Sequence, residues 1–279
     1  MDTDKPANEH RMLRIDRHDD GRIEVWTVDR PKAANALDKV TLDALSAALS
    51  AAEERLSRGE PLRGVVLCGA PRGEGARAVF LSGADLREVE AVAQSGDEVV
   101  ARAFASGMME LLSRFERLGA LVIAAISGDV YGGGCEVIAA CDLRVADQGV
   151  QLAFRQTRIG VASGWGGTTR LSRLVGLGSA RRLLLTGIPC DAGEALRIGL
   201  VDEVVAVGSA KERAIEIIRL ASAGAPSAIA AMKRGLLQSL DQTREASFAS
   251  ELDRFVETFR APAHREALSA MRDKRPPRW

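Results

Sequence analysis

A chain of 279 residues is long enough to bury a large core in one or two domains. Its 46% hydrophobic and 27% charged residues are typical of a globular protein and exclude a disordered one. The 38 basic residues balance the 38 acidic ones and only 4% of residues are aromatic, so neither a nucleic-acid partner nor an anionic membrane surface is favoured.

The cysteines and the first ten residues give information on the cellular compartment of the protein. The four cysteines lie in apolar or glycine-rich surroundings without CxxC spacing, which is typical of reduced thiols in the cytosol. Neither they nor the three histidines show metal-site spacing, so no metal is expected. The polar segment from Met1 to His10 does not resemble a signal peptide, and the longest apolar run, residues 118–126, is too short to span a bilayer. We therefore expect a cytoplasmic protein with no membrane partner.

Strands and helices alternate over roughly the first 150 residues. A β-hairpin is predicted around the turn at residues 19–21, and Asp38 is a candidate N-cap for a helix that ends at Gly59. Short all-apolar runs near glycine predict strands buried on both faces. The predicted strands of this part are 12–15, 23–28, 65–68, 79–81, 121–126 and 143–146. The predicted helices are 38–59, 97–118 and 132–140.

Helical patterns fill almost all of the chain from Trp165 onward. The predicted helices are 166–175, 179–186, 191–198, 211–223, 226–240 and 243–259. We therefore predict an α/β core over residues 1–205, followed by a helical region over residues 206–279.

Glycine follows a predicted buried strand at two places, residues 82–85 and 127–136. Backbone N–H groups at a helix start have no intrahelical partner, and the helix dipole adds positive potential, so they can bind an anion. Two such groups converging on one oxygen would form an oxyanion hole. Either glycine segment alone is also explained by tight turns, which need glycine for conformational reasons.

Further motifs stand in order along the chain. They are Asp-Arg-Pro at 29–31 with Asn-Ala-Leu at 35–37, residues 80–86, residues 132–136 with 140–144, residues 166–171, residues 199–202 and Lys-Arg-Pro at 274–276. Together they resemble the enoyl-CoA hydratase/isomerase (crotonase) superfamily, and the resemblance covers residues from about 12 to 277. It implies an α/β fold that is a spiral of strand-strand-helix units, with C-terminal helices that assemble homotrimers or hexamers.

The resemblance also implies roles for particular residues. The N–H groups of Ala84 and Gly133 would form an oxyanion hole for the carbonyl of an acyl-CoA thioester, and Lys274 would lie near the nucleotide of a coenzyme A bound by a neighbouring subunit. The residues that would line the coenzyme A channel are Ala34, Ala36, Asp85, Leu86 and Arg87. No cofactor is implied, because coenzyme A is part of the substrate.

The acid/base positions match the superfamily only in part. Its hydratases use two glutamates: Glu136 matches the first, whereas Gln156 stands at the position of the second. Glutamine cannot exchange a proton near neutral pH, although it can orient a water or a substrate carboxylate. Arg155 and Arg158 are candidates for binding such a carboxylate, although paired arginines on a short helix more often face solvent.

An enoyl-CoA hydratase is the leading prediction. Two enzyme alternatives need only one acid/base group: an enoyl-CoA isomerase and an alkylmalonyl-CoA decarboxylase. Residues 164–171 resemble a stretch found in alkylmalonyl-CoA decarboxylases. A non-catalytic scaffold or binding protein with the same fold is a further alternative. Residues 88–100, expected to shape the acyl pocket, are mostly small and apolar with scattered acids and indicate no particular acyl group.

Overall fold

Two β-sheets form the framework of the protein, whose computed structural model describes residues 12–73 and 75–279. The strands, in chain order, are β1 (Leu13–His18), β2 (Ile23–Val28), β3 (Gly64–Gly69), β4 (Val79–Leu81), β5 (Leu121–Ile126), β6 (Asp129–Tyr131), β7 (Leu143–Asp147), β8 (Gln151–Ala153), β9 (Cys190–Asp191) and β10 (Glu203–Val205). The larger sheet has the order β1-β2-β3-β5-β7-β10, and the smaller sheet has the order β4-β6-β8-β9.

Helices follow the strands and then dominate the carboxy-terminal part. They are α1 (Lys39–Ser57), α2 (Leu86–Ser95), α3 (Glu98–Arg117), α4 (Gly133–Ala139), α5 (Gly167–Thr186), α6 (Ala192–Arg197), α7 (Ala210–Ala221), α8 (Pro226–Ser239), α9 (Arg244–Arg260) and α10 (Pro262–Arg272). Short 3-10 helices span Pro31–Ala33 and Gln156–Ile159.

The chain winds between the two sheets as a spiral. The pairs β3-β4, β5-β6 and β7-β8 each place one strand in the larger sheet and the next in the smaller sheet, and each pair is followed by helix. Neighbouring strands run parallel except in the β1-β2 hairpin and the β8-β9 pair. The predicted mixed α/β spiral is therefore confirmed.

Several local predictions agree with the structure and others differ. The hairpin and the start of α1 agree: the Asp38 side chain accepts the N–H of Thr41 and so caps the helix. Strands β6, β8, β9 and β10 were not predicted, because two or three residues are too few to show an alternating pattern. The two helices predicted at 166–175 and 179–186 agree with the two parts of α5, which are separated by a kink at Gly176, where φ is 73° and ψ is 161°.

Apolar side chains cover both faces of the larger sheet. One face joins the main core, which includes Trp26, Leu112 and Phe154. The other face packs against α7 through a second cluster that contains Ile215 and Ile218. Burial on both faces explains why these strands are nearly continuous apolar runs. The domain boundary predicted at residue 205 falls between β10 and α7 and stays a prediction.

The helices were compared with the length and apolar composition that a membrane span requires. Within residues 12–73 and 75–279, no single helix is long and apolar enough to cross a bilayer. Among the helices that the structure describes, the pair α7 and α8 taken together has the required length and composition, and its two helices meet at a bend of 109°.

Candidate active site

The carboxyl ends of three neighbouring strands bring the predicted site residues together. In the smaller sheet β4, β6 and β8 lie side by side and run parallel. The segment with Ala84 follows β4, the segment with Gly133 and Glu136 follows β6, and Gln156 follows β8. Because parallel strands end at the same edge of a sheet, three segments that are distant in sequence meet at one place.

The loop after β4 lies directly against the start of α4. Gly83 has φ of 94°, and a Cβ added there would stand 2.7 Å from the nitrogen of Gly133. Only glycine allows this approach, because that gap is shorter than any van der Waals contact. The amides of Ala84 and Gly133 therefore belong to adjoining backbone segments.

Hydrogen bonding leaves both of these amides available. The carbonyl of Gly83 accepts the N–H of Leu37, and the N–H of Asp85 donates to the carbonyl of Leu37. Groups alternate in direction along an extended chain, so the N–H of Ala84 points away from Leu37. Gly133 is the first residue of α4, and a first helical N–H has no intrahelical acceptor. Both amides can donate to a ligand.

Glu136 lies in the first turn of α4 and is only 2% exposed. Its Oε2 accepts three hydrogen bonds, from the Ser163 hydroxyl at 2.9 Å, the Trp165 N–H at 2.8 Å and the Gly167 N–H at 2.9 Å. Its Oε1 accepts one, from Nε2 of Gln156 at 2.7 Å. The carboxylate is thus oriented by four donors, three of which bind the same oxygen.

Gln156 is 9% exposed and is held by its contact with Glu136. Its other polar atom, Oε1, is buried and has no hydrogen-bond partner within the described residues. A buried carbonyl oxygen without a partner is unfavourable by about 1 to 3 kcal/mol. This acceptor therefore marks a position where a water or ligand hydroxyl would be stabilised.

Trp165 and Ser163 lie beside Gly133 and Glu136, and the sequence analysis identified neither of them as a site residue. A Cβ added at Gly133 would stand 2.1 Å from the Trp165 ring, so the indole packs against the backbone of the predicted oxyanion hole. Ser163 donates to Glu136 and accepts the N–H of Thr168 at 3.2 Å. Trp165 did not stand out because its donor is a backbone N–H, which has no side-chain signature, and a single serine in a glycine-rich loop gives no pattern of its own.

A cavity of about 1080 Å³ opens at this edge of the smaller sheet. Nine of the ten predicted site residues line it: Ala34, Ala36, Ala84, Asp85, Leu86, Arg87, Gly133, Glu136 and Gln156. The tenth, Lys274, follows α10 and does not line the cavity of its own chain. The roles assigned to all ten stay predictions.

The loop that carries Ala34 and Ala36 is held by Arg30 and Asn35. Arg30 binds the Ala36 carbonyl at 2.6 Å and the Asp85 carboxylate at 2.9 Å. The Asn35 amide, which is fully buried, donates to two backbone carbonyls near β4. Burial raises the pKa of Asp85, but hydrogen bonds from Arg87 and Arg30 outweigh it and lower the pKa to about 2. Asp85 therefore stays ionised and fixes both arginines beside the cavity.

The two arginines considered as carboxylate ligands lie in different places. Arg155 lines the cavity, with its guanidinium 5.0 Å from the centre of the Tyr131 ring. Arg158 lies beside Gly187 and does not line the cavity. Lys32, which sequence reasoning also missed, lines the cavity next to Ala34. Lys32 and Arg155 therefore add two cations to the cavity, whose lining is largely apolar but also includes the carboxylates of Asp97 and Glu98.

Comparison with known proteins agrees with this geometry. A family model described as enoyl-CoA hydratase/isomerase matches residues 19–279. The chain is 34% identical over 256 residues to a short-chain-enoyl-CoA hydratase of Clostridium acetobutylicum, covering 92% of this chain and 93% of that protein. It is 31% identical over 258 residues to a crotonyl-CoA hydratase of Syntrophomonas wolfei, covering 91% and 93%.

Solved structures show the same likeness in three dimensions. A crystal structure of an enoyl-CoA hydratase from Bacillus anthracis superposes with a TM-score of 0.86 at 30% identity, covering 96% of this chain and 99% of that one. The structure of DspI from Pseudomonas aeruginosa gives 0.85 at 31% identity, covering 98% and 100%. The match of the family model and these likenesses along almost the whole length show that the chain belongs to the enoyl-CoA hydratase/isomerase family.

Proposed function

We propose that this protein adds water to the double bond of an α,β-unsaturated acyl-CoA thioester. The observation that carries the proposal is the buried Glu136–Gln156 pair, which lies in one cavity with the amides of Ala84 and Gly133. The relatives named as enoyl-CoA hydratases support the same reaction.

The first part of the proposed mechanism concerns the thioester carbonyl. Its oxygen accepts the N–H groups of Ala84 and Gly133, and negative charge grows on it when the β-carbon is attacked. Donors fixed in position stabilise this charge more in the transition state than in the bound substrate. Losing one such donor typically costs about 3 kcal/mol.

The second part concerns the water. Three donors occupy Oε2 of Glu136, so Oε1 is the oxygen that takes a proton from water. The partnerless Oε1 of Gln156 accepts the other hydrogen of the same water and so orients it. The water oxygen bonds to the β-carbon, the double-bond electrons move to the thioester oxygen, and Glu136 then returns the proton to the α-carbon. A single carboxylate thus serves as base and then as acid.

The substrate channel and the assembly are part of the same proposal. Coenzyme A lies along the channel residues Ala34, Ala36, Asp85, Leu86 and Arg87, and Lys274 of a neighbouring subunit meets its nucleotide. The reaction needs no cofactor beyond the substrate's own coenzyme A. Exposed apolar side chains on α8, α9 and α10 support a homotrimer or a hexamer. A cytoplasmic location, predicted from the reduced cysteines, belongs to this proposal as well.

Hydration of crotonyl-CoA tests the proposal directly. The wild type is expected to consume this substrate, and Glu136→Gln to lower kcat by a factor of about 10² to 10⁴, because the group that moves the proton is lost. Glu110→Gln is the matched control, since Glu110 is exposed on α3 and does not line the cavity. The loss of absorbance of the conjugated thioester measures both rates.

Three outcomes would contradict hydration. Release of CO₂ from methylmalonyl-CoA without hydration of crotonyl-CoA would establish the decarboxylase alternative. Movement of the double bond without addition of water would establish the isomerase. No heat of coenzyme A binding in calorimetry would leave the scaffold alternative.

A further inference from the structure

Arg155 is a cation in the cavity that no acidic side chain neutralises. Within residues 12–73 and 75–279 its guanidinium makes no salt bridge and no hydrogen bond to a protein group. The other arginine that lines the cavity, Arg87, is paired with Asp85 at 3.3 Å. Arg155 is exposed to solvent, so water stabilises its charge in the free protein, and a carboxylate that enters the cavity can replace that water with a charge-assisted hydrogen bond.

The surroundings of Arg155 hold it in place. Its guanidinium stacks over the ring of Tyr131 at 5.0 Å, and the Tyr131 hydroxyl donates to Asp129 at 2.6 Å. Asp129 is buried, is paired with Arg77 and accepts the N–H of Gln151 at 2.9 Å. Burial and the contact with Asp129 raise the pKa of Tyr131, so the ring under Arg155 stays a neutral phenol. This cation is therefore oriented before any ligand arrives.

The position of Arg155 is at the reacting end of the cavity. It directly precedes Gln156, which contacts Glu136, and it stacks on Tyr131, whose carbonyl would stand 3.2 Å from a Cβ at Gly83. Lys32, which makes no salt bridge within the described part of the chain, also lines the cavity and lies close in sequence to Ala34 of the proposed coenzyme A channel. The two cations thus lie near different parts of the proposed binding site, Lys32 near the coenzyme A channel and Arg155 near the place of the acyl group.

We infer that Arg155 binds a second carboxylate carried by the acyl chain, so that the preferred substrates are thioesters of unsaturated dicarboxylic acids. This inference rests on the proposed hydration. It favours a carboxylate that remains on the product, because an ion pair with a leaving carboxylate would stabilise the substrate more than the transition state of decarboxylation. The apolar residues Val89, Val92, Ala101 and Phe104 line the same cavity and suit the carbon chain between the two ends.

Matched substrate pairs test the inference. Hex-2-enoyl-CoA and hex-2-enedioyl-CoA have the same carbon chain and differ in a terminal methyl or carboxylate, and the five-carbon pair differs in the same way. We expect kcat/KM of the wild type to be about 10- to 100-fold higher for the carboxylated member of at least one pair. This is the fold-change that corresponds to the free energy of one hydrogen bond to a charged group. Arg155→Gln is expected to remove this preference, so that the ratio of kcat/KM between the carboxylated and the neutral member of the pair falls to about one.

Arg158→Gln is the matched control, because Arg158 is also an exposed arginine, lies on the 3-10 helix that Arg155 immediately precedes, and does not line the cavity. It is expected to keep the preference. No preference in the wild type for either pair would overturn the inference. So would an equal loss for carboxylated and neutral substrates in Arg155→Gln accompanied by weaker binding of free coenzyme A, which would assign Arg155 to a phosphate.

A binding measurement separates this inference from the proposed function. Calorimetry with the saturated thioesters adipyl-CoA and hexanoyl-CoA requires no catalysis. Tighter binding of adipyl-CoA that disappears in Arg155→Gln would support the role of Arg155 even if crotonyl-CoA were not hydrated. Equal binding of the two thioesters by the wild type would overturn it even if crotonyl-CoA were hydrated rapidly.

Discussion

Gln156 decides how many carboxylates the site offers for proton transfer. Its amide lies 2.7 Å from Glu136, so Gln156→Glu would put two carboxylates in contact inside a buried site. Two carboxylates this close do not both ionise, and one keeps a proton at neutral pH. That protonated group could give its proton to the α-carbon while Glu136 activates water.

We therefore expect Gln156→Glu to raise kcat for crotonyl-CoA hydration by about 10- to 100-fold. The rate should then fall as pH rises, since the shared proton is lost at high pH, and the wild type should lack this limb. The pH profile of kcat/KM measures it. Gln94→Glu is the control, because Gln94 also donates to a glutamate, Glu90 at 3.2 Å, but on the exposed surface of α2. A slower variant without a new ionisation would contradict the expectation that a second carboxylate at position 156 can supply the α-proton.

At the residue scale, the sequence contained part of the site but not all of it. The glycines around Ala84 and Gly133, with Glu136 and Gln156, were identified because side-chain identity and spacing define them. The donors from Trp165 and Gly167 were not identified, since any residue has a backbone N–H and only the folded loop directs it at Glu136. Arg155 was identified as a candidate, but only the structure separates it from Arg158.

Helix α5 and the loop before it are fixed by Arg170. Its guanidinium binds both oxygens of Glu116 on α3, at 2.8 and 2.7 Å, and the Trp165 carbonyl at 2.6 Å. This loop and the first residue of α5 together supply three of the four donors to Glu136. Arg170 is therefore a positioning residue that acts through the loop and does not touch the substrate.

Arg170→Ala is expected to lower kcat about tenfold with little change in KM, because the Glu136 carboxylate is less well oriented while the substrate channel stays intact. The free energy of unfolding should fall by about 2 kcal/mol, since Glu116 loses a partly buried partner. Steady-state kinetics and urea denaturation measure the two effects.

Arg173→Ala on the same helix is the control for that experiment. Arg173 pairs with the exposed Asp241, so its removal should change the free energy of unfolding by less than about 1 kcal/mol and leave kcat unchanged. A rise in KM at constant kcat in Arg170→Ala would instead place Arg170 in substrate binding.

The elements themselves were predictable to different degrees. The long apolar-periodic helix α3 and the continuous apolar run of β5 were found close to their observed bounds, because every residue of each segment contributes to its pattern. The strands of the smaller sheet are only two or three residues long, and three of the four, β6, β8 and β9, were missed. Yet three strands of that sheet, β4, β6 and β8, bring Ala84, Gly133 and Gln156 together, so the geometry of the site depended on the elements with the weakest sequence signal.

At the scale of the whole molecule, one surface is unusually apolar. Along α9 the side chains of Phe248, Leu252, Phe255 and Phe259 recur at helical spacing, and each is more than half exposed. Such a stripe is unfavourable in water and is typical of a surface that binds another protein chain. Its position on the C-terminal helices agrees with the assembly that the sequence resemblance implies.

We expect light scattering to give a mass of three or six chains, each of 29.8 kDa. Replacing Leu252 and Phe255 together by glutamate should give a single-chain mass, because buried charges would oppose association. Glu251→Lys changes the charge of an exposed neighbour and should leave the mass unchanged. A wild type that stays a single chain at micromolar concentration would contradict the prediction.

The expected assembly would also determine how Lys274 acts. Lys274 does not line the cavity of its own chain, so a contact with coenzyme A has to come from a neighbouring subunit. Lys274→Ala is then expected to weaken coenzyme A binding about tenfold in the assembled protein, as loss of a charge-assisted hydrogen bond would. In the Leu252 and Phe255 double variant the same change should have no further effect, because the neighbour is already absent. A double-mutant cycle by calorimetry measures this coupling, and additive losses would show that Lys274 acts within its own chain.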